Sequence, residues 1–167
     1  MIQRTLLRRL EALEKEERLR EQKALSSLQT ARLYIWMIVL AYYLGDLKSD
    51  EKDPGEAEAR ALKYRSSEDY SEAVLKVMRN RDTKDISEIR ERFVDAYRRL
   101  FADMGLDFDN APPNVLFDAF VTGVNQLPDQ WSNWLSSNLR RWCPDAEIAA
   151  GSNLPRRLSG ENLFLFV

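Results

Sequence analysis

Histidine is missing from this chain of 167 residues, and cysteine occurs once, as Cys143. Without histidine there is no Ser-His-Asp or Cys-His nucleophile, no imidazole general base and no histidine-containing metal site. One cysteine closes no intrachain disulfide and builds no cysteine-rich zinc site, and it fits a reducing compartment. Glycine and proline are sparse, six of each. No glycine-rich phosphate loop, nucleophile elbow or metal-ligand cluster is present. Net charge is only −2, so global charge points to neither nucleic acid nor membrane. No apolar run directly follows the basic N-terminus, so no signal peptide is expected. A cytoplasmic, non-enzymatic protein without cofactor or metal is the expectation that these absences favour.

Long hydrophobic runs are missing too. The longest uncharged apolar stretch, Leu33 to Leu44, has twelve residues. As a helix it rises about 18 Å, short of the roughly 30 Å of a bilayer core. It contains Trp36, Met37, Ile38, Val39 and Leu40, with apolar residues on every side of the helical wheel. A helix apolar all round is expected to be buried all round. This stretch is therefore the expected centre of the fold. With 44% hydrophobic and 31% charged residues, a core around it is feasible.

Before it, Ile2 to about Gln29 reads as one charged helix, rich in Arg, Glu, Leu and Lys and free of Gly and Pro. Leu6, Leu10 and Leu13 make a short apolar stripe; Glu17 and Arg20 hold the next seam positions. Such a stripe supports two heptads at most. It predicts a helical arm that is either solvated or docks on a partner or a second copy. Five glutamates interleave the arm's bases and argue against a basic nucleic-acid arm. Direct nucleic-acid binding is left open.

After it, Asp53-Pro54 is expected to cap and open a helix running to about Tyr64. Ser66 and Ser67 cap the next, with Tyr70, Ala73, Val74, Val77 and Met78 on its apolar face. Asp85 with Glu88 reads as a capping box for an amphipathic helix. That helix carries Ile86, Ile89, Phe93, Ala96, Tyr97, Leu100 and Met104 on one face and ends at Gly105. Asp107, Asp109 and Asn110 lack the spacing of a calcium loop and read as a turn. Pro113 or Asn114 and Pro128-Asp129 open two further helices, the last striped by Trp131, Trp134, Leu135, Leu139 and Trp142. No strand-forming alternation is long enough for a sheet. The expectation is an all-α protein: a helical arm over 1–29, a bundle over 30–142, and a flexible tail over 143–167 with an apolar tip.

Two resemblances bear on function. Asn162-Leu163-Phe164-Leu165-Phe166 resembles the pentapeptide, Gln-Leu-x-Leu-Phe, by which many bacterial replication and repair proteins dock on the sliding clamp. Leu163, Leu165 and Phe166 match, and Asn162 replaces the usual Gln. The resemblance covers five residues and implies a DNA-transaction accessory protein; the competing reading folds the tip back on the chain's own surface. Leu7-Arg8-Arg9-Leu10-Glu11-Ala12-Leu13-Glu14 resembles the openings of small helical proteins of alphaproteobacterial genomes and their prophages. Some phage proteins of this size are terminase small subunits, which oligomerise through helices, but the basic recognition helix they carry is not evident here. The favoured expectation is a protein-interaction or oligomerisation protein, with partner-binding residues Leu6, Leu10, Leu13, Asn162, Leu163, Leu165 and Phe166 and no membrane association. The alternatives are a clamp-docking or DNA-packaging protein and a small enzyme with an acidic site.

Overall fold

The computed structural model describes residues 2–80 and 82–142, with backbone alone for 2–8, 10, 20–29 and 142. Among them the chain is all-α. Six helices follow one another: α1 (Ile2–Tyr43), α2 (Pro54–Ala61), α3 (Ser67–Asn80), α4 (Thr83–Asp103), α5 (Pro113–Asn125) and α6 (Asp129–Trp142).

The arm and the apolar stretch are one helix, where a break near Gln29 was expected. The physical reason is that no glycine or proline precedes Gly45, so nothing interrupts the ladder. At 1.5 Å per residue α1 rises about 63 Å. Its C-terminal third lies in the bundle, where α2, α4, α5 and α6 pack against it. Ala31, Ile35, Trp36, Ile38, Val39, Leu40 and Ala41 are buried there. The expectation of burial all round is corrected at one side: Leu33 is 47% exposed and Tyr34 and Met37 are half-buried. Four neighbours leave one face of α1 uncovered.

The core is aromatic at its middle. The Trp36 ring stacks on Phe120 of α5 at 4.0 Å between centroids and meets Tyr97 of α4 at 4.6 Å. One indole thus joins three helices. Gly45 ends α1 by allowing close approach: a Cβ there would lie 1.9 Å from the backbone oxygen of Ala57 in α2. That contact is forbidden to any side chain, so only glycine lets α2 fold back so tightly on α1.

Helix ends follow local chemistry, with one correction. Asp53 caps α2 by accepting from the Gly55 amide at 2.9 Å, and Pro54 is its first residue. Ser66 Oγ accepts from the Asp69 amide at the start of α3. At α4 the cap is Asp82, which accepts from the Lys84 amide at 2.8 Å, three residues before the expected Asp85. Asp85 instead receives Lys76 Nζ of α3 at 2.9 Å. Both acids suit the positive end of a helix; Asp82 directly precedes the first helical residue, Thr83, and so takes the cap. Gly105, with φ of 77°, terminates α4 as expected. The acidic loop is a turn: the Asp107 carboxylate accepts from the Asp109 amide and from Asn110 Nδ2.

Candidate functional site

Two features stand out from ordinary packing. One is the arm. Described side chains at 9 and 11–19 are all exposed, with Leu13 at 62% and Leu19 at 52%. The side chains of Leu6 and Leu10 lie outside the described residues, as do Asn162, Leu163, Leu165 and Phe166. Of the expected partner-binding residues only Leu13 is therefore placed in full, on an open helical surface. An isolated helix that is polar nearly all round is marginal in water, because its stability normally comes from packing an apolar face.

The other feature was missed by sequence reading. Glu58, in the middle of α2, is only 9% exposed and is the one buried charged residue among those described. Its Oε1 accepts from Tyr70 Oη of α3 at 3.5 Å, a long bond. Burial pushes its pKa up to about 7; the Tyr70 hydroxyl eases the shift and the Asp53 carboxylate adds to it. Tyr70 and Tyr97 are in turn pushed up, first by burial and then by the Glu58 charge. Tyr64 stacks against Tyr70 with centroids 5.2 Å apart and lies under the Arg92 guanidinium at 4.2 Å. Its buried hydroxyl has no hydrogen-bond partner. No local signal could have announced Glu58, because its neighbours Glu56 and Arg60 look just as polar in sequence.

Around this cluster α4 holds the end of α2 with arginines. The Arg99 Nη2 donates to the Ala61 carbonyl at 2.5 Å, and Arg92 Nη1 donates to those of Leu62 and Lys63 at 3.1 and 2.8 Å. The Ala61 carbonyl is among the last four of α2, which have no partner within it, and those of Leu62 and Lys63 follow directly after the helix. Cations there also complement the negative end of the dipole. Lys63 takes the left-handed conformation, φ 60°, that such helix ends use, and its Nζ pairs with Asp95 at 3.1 Å. Open grooves beside α4 are lined by Lys63, Glu88 and Arg92 but not by Glu58. A raised carboxyl is the usual mark of an acid–base catalyst. Here it is sealed between α2, α3 and α4, so its proton is linked to folding.

The exposed apolar residues Leu75, Met78 and Ile86 flank the connection between α3 and α4. Met78, expected on the packed face of α3, is 70% exposed. α4 runs beside the last turns of α3, where Lys76 Nζ meets Asp85. Among the described residues no helix is long and apolar enough to cross a membrane. No protein-family model, curated protein or solved structure matches this sequence.

Proposed function

We propose that this chain is a non-enzymatic, cytoplasmic protein-interaction protein that engages its partner through the N-terminal arm. A single observation carries this reading: α1 runs unbroken from the core into an arm whose side chains at 11–19 are exposed, Leu13 and Leu19 included. A helix held rigidly at one end presents its apolar residues at a fixed distance and angle from the bundle, which lowers the entropy lost on docking. The opening Leu7 to Glu14 suits a protein of a mobile element. The test is a photo-crosslinking amino acid in place of Leu13 or Leu19, in cells expressing the full chain. A discrete protein–protein product from either position is expected. A chain that folds yet yields no product from either position overturns the reading.

A second reading rests on Asn162 to Phe166, with three of five residues matching the clamp-docking pattern. A peptide covering Ser159 to Val167 is expected to bind a bacterial sliding clamp with roughly micromolar affinity. Equal binding by a Leu165→Ala/Phe166→Ala peptide, or none by either, removes this reading.

A further inference from the structure

The arm's charge pattern says more about its partner, provided that the arm is the interaction element. Residues 6, 10, 13, 17 and 20 alternate in steps of four and three, the heptad seam of a coiled coil. Leucine holds the first three positions, Glu17 and Arg20 the last two. Arg9 and Glu16 each directly precede a seam position, so they flank the same side of the seam one heptad apart. Both are exposed.

We infer that the partner is a second copy of this chain, with the two arms antiparallel, Leu10 of each opposite Leu13 of the other, and Arg9 of each beside Glu16 of the other. Flanking residues of this class meet their own kind across an antiparallel pair, so the two-fold axis makes every contact twice. The arrangement yields two Leu10–Leu13 layers and two Arg9–Glu16 ion pairs, and places Glu17 at the wet end of the seam, opposite Leu6. A parallel pair sets Glu17 on Glu17 and Arg20 on Arg20 within the seam. Its flanking charges pair five residues apart, Arg9 beside Glu14 and Glu16 beside Glu21, so attraction at one pair is offset by repulsion at the other. The like charges within the seam repel and select against that orientation.

The bundles are compatible with this arrangement. The first buried core residue is Ala31. With the two-fold axis between residues 11 and 12, the two copies of Ala31 stand about 58 Å apart at 1.5 Å per residue. The bundles therefore sit clear of each other at opposite ends. Parallel arms would bring both to the same level, side by side on a two-stranded rod.

Two leucine layers make a weak pair, with a dissociation constant of roughly 10–100 µM. The experiment is sedimentation equilibrium of the full chain over a concentration series, at low salt because exposed ion pairs are screened. The expected result is a mass rising from one chain to two. Arg9→Glu and Glu16→Arg should each weaken association about 5- to 10-fold. The double variant Arg9→Glu/Glu16→Arg should restore it, because the pairs re-form with signs exchanged. Residues 9 and 16 are seven apart, about 10.5 Å along one helix, so rescue reports contact between chains. Circular dichroism shows whether each variant keeps its helix content. Dimers of equal strength in all variants, or no rescue, overturn the antiparallel pairing. A single-chain mass throughout, with Leu13 crosslinking to a different protein, overturns self-pairing and leaves the arm reading standing. A single-chain mass with no crosslink fails both.

Discussion

Replacing Trp36 by Ala is expected to remove about 3–5 kcal/mol of stability, a large part of what a domain of this size has. The indole is 3% exposed and stacks on Phe120 while meeting Tyr97. Its loss leaves a void where α1, α4 and α5 converge, and the three backbones cannot all close on it. Aromatic pairs of this kind add about 0.5–1.5 kcal/mol beyond the area they bury. The melting temperature should fall by roughly 10–20 °C. Phe93→Ala should act in the same direction, since Phe93 is buried beside Tyr97 with ring centroids 6.0 Å apart. Leu33→Ala serves as the control: at 47% exposure it should change little. Thermal unfolding that is the same for Trp36→Ala and Leu33→Ala would refute the arrangement of the core.

The second large effect belongs to Glu58. In the unfolded chain its carboxyl titrates near 4.5, and in the fold near 7. Between those values the folded protein keeps a proton that the unfolded chain has released. Stability therefore falls as pH rises through this window, by up to about 1.4 kcal/mol per pH unit for one proton, and levels off above it. The full loss is roughly 3 kcal/mol. Glu58→Gln keeps the shape and hydrogen-bonding capacity without the charge. It is expected to match the parent at low pH, to exceed it by about that amount well above pH 7, and to lose this part of the pH slope. Denaturant unfolding over a pH series measures it. A variant that keeps the parent's slope, or is less stable at high pH, shows that the carboxylate is stabilised in the fold by groups other than those named. Tyr70→Phe should steepen the dependence slightly, because the Tyr70 hydroxyl favours the charged form.

Much of the architecture was legible in the amino-acid order. Apolar residues recurring at helical spacing located α3 to α6, and short polar signals located their ends. Asp53-Pro54, Ser66, Gly105 and Pro128-Asp129 each act within one turn of themselves, so nothing distant can override them easily. The missing histidine and lone cysteine needed no structure to exclude whole classes of chemistry. The apolar stretch around Trp36 was bound to become the centre, since no other segment could cover it on its own.

Tertiary structure decided the rest, for one physical reason: which helix lies beside which is set by residues far apart in the chain. Glu58 and Glu56 sit two positions apart on α2 and both reach α3, Glu56 at Ser67 and Glu58 at Tyr70, yet only Glu58 is buried and loses its water. Arg92 and Arg99 look like ordinary surface charges of an amphipathic helix. They become caps for carbonyls about 30 to 38 residues away because α4 crosses the end of α2. Gly45 resembles any helix-terminating glycine until the Ala57 carbonyl is found where its side chain would stand. Leu33 looked as buried as Leu40, and differs only because α1 has fewer neighbours than faces. Local periodicity tells how a helix is striped; only packing tells which part of each stripe finds a partner.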